Sequence, residues 1–472
     1  MQNKLGHAFL KTIPILLGLI TIILVPRVLT GYWYLNQAGF FLSNKQESRA
    51  ALAYEDAAMR LGWSKGLYEQ AAMLSWGSGD IQQAGRLFQR AMDQDGLSDQ
   101  GLLALGDLYL KQDQAGQAVE TWMRVPASSQ RYVPALERLA KTRQSLGDYG
   151  LAQSAWQTLV EVDPGNAGAH FGLGLLLMTS QPHAALQELI QAATLDPALE
   201  TQVSPLRDNL TRAVLVEDQA YQQVVSGQAL ASIGEWDLAR LAFTNATRTN
   251  PDFPEAWCWL GEDVQHIGRD GLPALNEGLA LNPNSTTCLA LMALHDRRNN
   301  KLNEAWTIYE KVAKQEPANP AWQIALGDLS VQKGDLLSAR GYYQAAIDLG
   351  GNDPGPWKAM ASFSIQYNVD VENLGLKAAY HLLDIAPKDW ESEDLVGQAL
   401  IAIHSLEAAR NHFLKALALA PDQADIHLHL GYLYLLMDKF TESYEQLSRA
   451  SELDATGTSG GSARRLLAQY FP

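Results

Sequence analysis

From Ala321 to Leu349 the chain reads AWQIALGDLSVQKGDLLSARGYYQAAIDL, and this spacing of small and large residues returns along the whole sequence. Leu326-Gly327 falls in a first stretch of helical period, Gly334-Asp335 interrupts it, and Ala339, Tyr343 and Ala346 put a small, a bulky and a small residue on one face of a second. The pattern predicts two antiparallel helices. Gly327, Ala339 and Ala346 lack bulk where the axes approach, Tyr343 fills the gap, and Gly334 accepts the left-handed conformation that ends a helix. One such pair leaves a flank wet, so it needs neighbours of its own kind.

Those neighbours are present. The spacing recurs at Ala84/Phe88/Ala91, Ala118/Trp122/Val125, Ala152/Trp156/Leu159, Ala185/Leu189/Ala192, Ala239/Phe243/Ala246, Ala305/Tyr309/Val312 and Ala409/Phe413/Ala416. Pro164, Pro197, Pro251, Pro317 and Pro421 follow at a constant distance and close their units, because proline cannot continue a helix. Leu-Gly returns at Leu105-Gly106, Leu173-Gly174, Leu260-Gly261 and Leu430-Gly431, and the break returns at Gly79-Asp80, Gly147-Asp148 and Gly234-Glu235.

With a period of about 34 residues these marks resemble the tetratricopeptide repeat family, over nearly the whole chain after its first ~30 residues. The resemblance implies an all-α fold, a right-handed superhelix of helix pairs whose first helices line a concave groove. It implies proteins or peptides as partners in that groove, and neither catalysis nor a cofactor.

Units are read at 34–58, 65–96, 98–128, 133–166 and 167–199, then at 220–252, 254–284, 286–318, 320–353, 355–388, 390–422 and 424–455. Between the two blocks, 31–199 and 220–456, the rhythm slips by roughly twenty residues against the family period. There ETQVSPLRDNLTRAVLVEDQA carries an apolar stripe of Leu206, Leu210 and Val214 and a proline suited to a helix start, so 200–219 is expected to hold an extra helix, packed or acting as a hinge. The run GTSGGS is expected to break the last pair, and 457–472 to end in a capping helix that covers the flank with Leu466, Leu467 and Tyr470 and leaves Arg464 and Arg465 wet.

The N-terminus speaks to location. Thr12 to Pro26 is uncharged, and its flanks bring it to the ~20 residues of a membrane span. Lys11 and Arg27 can reach the interfaces, and Tyr32, Trp33 and Tyr34 suit the headgroup level. Residues 1–30 are therefore expected to form a cytoplasmic N-terminus and a single transmembrane anchor, with the repeats on the extracytoplasmic side. A cleaved signal, though without an A-x-A-like site, and a helix buried in the first unit are the rival readings.

Against 36 Lys+Arg stand 52 Asp+Glu, a net charge of −16, which argues against nucleic acid as a partner. Cys258 and Cys288 are the only cysteines, too few for a disulfide framework. They could pair, or join Glu262, His266 and His295 on adjacent first helices, but four-residue spacing is what any helix face offers and no metal is expected. Arg297-Arg298 is read as serving its own helix's carbonyl end rather than an acidic ligand. Gly168, Gly172 and Gly174 lie within a first helix with no preceding strand and are read as packing positions. His427 and His429 point to different faces. No nucleophile elbow, zinc-protease or phosphate-loop motif occurs.

By register, the groove face should carry Leu103, Asp107, Glu137, Phe171, Tyr221, Val224, Cys258, Glu262, Ile324, Asp328, Lys358, Asp394, Leu428 and Tyr432. This mixture of apolar residues and scattered acids suits an amphipathic helix or extended peptide. The function expected is a membrane-anchored scaffold in envelope assembly or secretion. The alternative is a non-catalytic accessory subunit of a membrane enzyme such as a polysaccharide-synthesis complex.

Overall fold

A computed structural model describes residues 24–471, and among them no strand occurs. The run expected to cross a membrane lies, but for 24–26, outside the described residues. Among those described, no helix is long and apolar enough to span a bilayer.

Two compact units are formed, Met1–Pro251 and Asp252–Pro472. In the first, helix α1 covers 24–43. It is followed by α2 (Glu47–Arg60), α3 (Leu67–Gly77), α4 (Ile81–Gln94), α5 (Asp99–Lys111), α6 (Ala115–Trp122), α7 (Tyr132–Ser145), α8 (Tyr149–Val162), α9 (Ala167–Met178), α10 (Pro182–Leu195), α11 (Glu200–Ala213), α12 (Gln219–Ser232) and α13 (Trp236–Thr249). The second holds α14 (Pro254–His266), α15 (Leu272–Leu281), α16 (Thr286–Arg298), α17 (Leu302–Gln315), α18 (Pro320–Gln332), α19 (Leu336–Gly350), α20 (Pro354–Gln366), α21 (Leu376–Ile385), α22 (Trp390–Ala402), α23 (Leu406–Leu419), α24 (Ala424–Leu436), α25 (Phe440–Leu453) and α26 (Thr458–Tyr470).

Each unit is an array of stacked helix pairs, and the small and large marks are its joints. A Cβ on Gly106 would lie 2.1 Å from Trp122 Nε1, on Gly227 2.4 Å from Phe243 Cε1, on Gly327 2.8 Å from Tyr343 Cε1 and on Gly397 2.6 Å from Phe413 Cε1. In these four pairs the bulky residue of the second helix seats in a hole left by glycine in the first. Trp122, Phe243 and Phe413 are essentially inaccessible to solvent. At Gly334, φ is +79°, the left-handed turn that lets α19 fold back on α18. Asp335 then accepts from Ser338 N–H and caps α19.

The residues at 200–219 supply α11, with Val203, Leu206, Leu210 and Ala213 all fully buried. The expected stripe ended at Val214, which instead caps the helix. Because α11 starts at Glu200, Pro205 lies within it rather than at its start. It denies a helical donor to the carbonyl of Thr201, an exposed residue. Since α11 packs on both α10 and α12, the rhythm slips there without a break in the stack, and the first unit continues to Pro251.

At the N-terminal end α1 lies on α2. Arg27, read from sequence as reaching a lipid interface, donates from Nε to Arg60 O at 3.1 Å and from Nη2 to Met59 O at 2.9 Å, satisfying the last carbonyls of α2. Tyr34 is half-buried, with the Arg60 guanidinium 4.4 Å from its ring centre, whereas Tyr32 and Trp33 are 57% and 55% exposed.

At the other end GTSGGS does not interrupt the helices: α26 begins inside it, at Thr458. Asp454 accepts from Gly457, Ser459 and Gly460 N–H and closes the helix start. Gly460 is needed there, since a Cβ would sit 1.7 Å from Asp454 O. Ala463, Leu466 and Leu467 pack on Leu447 and Ala450. Tyr470, however, is exposed, and Phe471 takes its place against Phe440 and Tyr444.

Candidate functional site

Charged residues on the first helices mostly bridge to the next first helix. In the first unit Arg138 of α7 makes a two-pronged contact with Asp107 of α5, at 2.6 and 3.1 Å. In the second, Arg298 of α16 clasps Glu262 of α14 at 2.7 and 2.8 Å, and Arg297 reaches Asp328 of α18 at 3.3 Å. Lys358 of α20 pairs with Glu391 of α22. His429 of α24 bonds Asp394 of α22 at 2.9 and 3.0 Å. Arg297-Arg298 thus serves neighbouring carboxylates, not its own helix end, because the flanking pairs bring acids within reach before the carbonyls can compete.

Several residues expected on an open groove are elsewhere. Leu103, Val224, Cys258, Glu262 and Asp394 are buried. The Leu103 carbonyl accepts from Trp122 Nε1 at 3.1 Å, so this position faces its own second helix. Ile324 and Leu428 are half-buried and pack on core clusters, and Glu137 bonds Lys141 one turn along α7. Tyr221 is 37% exposed and borders none of the three cavities described next. His427 and His429 do diverge, His427 bonding Gln446 at 2.6 Å and the Pro421 carbonyl at 2.9 Å.

Three of the expected residues border cavities. In the first unit Phe171 lines a cavity of about 400 Å³ with Lys141, Trp156, Gly172, Glu235 and Asp237. In the second, Asp328, Tyr343, Ser362, Gln366 and Tyr367 enclose about 340 Å³ between α18 and α20. There the Tyr343 hydroxyl donates to Asp328 at 2.7 Å; burial first, then that carboxylate, raises the Tyr343 pKa far above its ordinary value. Tyr432 and His429 border a mostly apolar cavity of about 280 Å³ with Ile365, Gln398, Ile401 and Ala402.

A base about one repeat after the acid, as in Asp107/Arg138 and Glu262/Arg298, is the signal that could have revealed these pairs. Glu235 was marked by standing where other units have aspartate. Cys258 and Cys288, left open by the sequence, form a disulfide between α14 and α16 with Cα atoms 5.3 Å apart.

The His429–Asp394 pair gives a pH dependence. Burial works against protonation of His429, but the hydrogen bond and charge of Asp394, with Asp425 behind it, outweigh burial and raise its pKa above the ordinary 6.5. The pair's contribution is therefore complete below 6.5 and is lost as pH rises through the higher folded value. Denaturant midpoints of the second unit should fall across that window, and His429→Gln should flatten the fall. An unchanged slope in the variant would remove the pair as its cause.

A tetratricopeptide repeat model matches 137–199, 225–262 and 291–354, and a TPR repeat model matches 397–438. The chain carries tetratricopeptide repeats. It is 23% identical over 224 residues to anaphase-promoting complex subunit 3 of Schizosaccharomyces pombe, covering 44% of this chain and 32% of that protein. The chain thus spans about a third of the length of that curated relative. Among solved structures it is similar to the APC/C hetero-tetramer Cut9-Hcn1, at 13% identity over 94% of this chain and 96% of that one, with a TM-score of 0.40. It is also similar to yeast Tom70, at 14% identity over 93% and 96%, with a TM-score of 0.44.

Proposed function

We propose that the chain is a non-catalytic scaffold tied to the cytoplasmic membrane by its N-terminal segment, with its repeats on the extracytoplasmic side. There it gathers protein partners of an envelope assembly or secretion process. The observation that carries the scaffold part is the division of labour on the first helices: charges such as Asp107, Glu262 and Asp394 are engaged between repeats, while cavities walled by Phe171, Tyr367 and Tyr432 stand open. Open pockets that combine aromatic and polar side chains suit side chains of another polypeptide. The curated relative is named as a subunit of a complex, which accords with this role.

Membrane attachment is supported by the uncharged run Thr12–Pro26 and by the exposed rings of Tyr32 and Trp33, which suit a headgroup layer. The Cys258–Cys288 disulfide supports the extracytoplasmic side, since disulfides persist in oxidising compartments. Cross-linking in native membranes, followed by identification of the captured proteins, tests the proposal. Several unrelated envelope proteins are the expected catch. A single integral enzyme would turn the reading to an accessory subunit, and a chain recovered free in the cytosol would end it.

A further inference from the structure

The cavity of the first unit is lined by an acid that stands at one of the breaks between helices. At the N-cap of α4 Asp80 accepts from Gln83 N–H, and at that of α19 Asp335 accepts from Ser338 N–H, so both carboxylates are used up locally. Glu235 stands at the same place before α13; like Asp148 before α8 it makes no capping bond, and it lines the cavity. Asp237 beside it is paired with Arg240 on its own helix. Lys141, the cation at the rim, is held by Glu137 at 2.5 Å. Phe171 also lines it, as does the edge of Trp156, which is only 3% exposed because its ring seats on Gly172, where a Cβ would lie 2.6 Å from Trp156 Cε2.

We propose that this cavity seats an arginine side chain of a partner polypeptide, with Glu235 as its counter-charge and Phe171 as its aromatic wall. The chemistry is complementary on each side. A guanidinium stacks on aromatic faces and forks onto a carboxylate, and a chain of net charge −16 draws basic segments towards it. The partly buried Glu235 is unfavourable as a lone anion: burial first, then the charge of Asp237, holds its carboxyl above the ordinary carboxylate range. A bound cation relieves both effects. The inference rests on the scaffold reading and names the chemistry that one of its cavities selects.

The test uses the purified full chain and two probes, Nα-acetyl-arginine amide and its neutral isostere Nα-acetyl-citrulline amide, followed by saturation-transfer NMR on the probe. Arginine is expected to receive saturation and citrulline far less. Glu235→Gln should weaken the arginine signal about tenfold, the loss of a charged hydrogen-bonding partner. Gly168→Leu, at another lining residue where a Cβ meets nothing closer than Asn166 Oδ1 at 3.4 Å, should block the cavity without disturbing the fold. Glu120→Gln, at an exposed acid of α6 that does not line the cavity, should keep binding. Equal signals for the two probes, or full binding by a Glu235→Gln variant with unchanged circular dichroism, would overturn the proposal. Captured membrane partners without arginine binding would remove this cavity's role and leave the scaffold, whereas arginine binding without partners would do the reverse.

Discussion

Phe413→Ala is expected to destabilise the second unit by about 3–5 kcal/mol, the cost of emptying an aromatic site in a core that cannot fully collapse. Phe413 is fully buried among Val396, Leu400, Ala409, Leu430 and Leu433, and its ring sits over Gly397. In a stack whose stability is the sum of pairs and nearest-neighbour contacts, the damage stays local. Hydrogen exchange should quicken in α22 to α25 and remain unchanged in the first unit. Adding Gly397→Leu to Phe413→Ala should recover part of the loss, because the new side chain enters the volume the ring has left and a glycine leaves a helix interior. Additive damage from the two substitutions would show that the glycine hole does not receive the ring.

That coupling was the most legible part of the sequence. The residue sizes at Gly397 and Phe413, or at Gly327 and Tyr343, follow from how closely two helices must approach, and such a constraint repeats with the repeat. Side-chain partnerships between repeats were harder to read. Register alone places Asp107, Glu262 and Asp394 on first helices, and an acid there looks equally suited to a ligand. Only the matching base one repeat on, Arg138, Arg298 or His429, separates a bridge from a binding residue. Leu103 and Val224 are buried for a simpler reason: packing covers more of each first helix than a single amphipathic stripe suggests. At α26 the glycines of GTSGGS looked like a break, yet Gly460 is there for the close approach of the Asp454 carbonyl, a tertiary demand that no local propensity contains.

Removing both cysteines, as Cys258→Ala with Cys288→Ala, should cost the second unit about 3–4 kcal/mol, the chain-entropy value for a loop of this length. The bridge spans a sequence separation of 30, and both residues are fully buried. It joins α14 to α16, first helices of consecutive pairs, and so fastens one of the neighbour contacts on which an array depends. The enclosed α15 is fitted to it: a Cβ on Gly278 would lie 2.2 Å from Cys258 Sγ and 3.1 Å from Cys288 Sγ. Either single substitution should cost nearly as much as the double, since one cysteine cannot form the bond. The same bond reports on compartment, because the two thiols must give up two electrons and two protons to a disulfide-donating partner that the cytosol lacks. Protein taken from native membranes, denatured and alkylated, should gain no label by mass spectrometry until a reductant is added, and then gain two. Two labels before reduction would remove the covalent tie between α14 and α16 and, with it, the case for placing the repeats outside the cytosol.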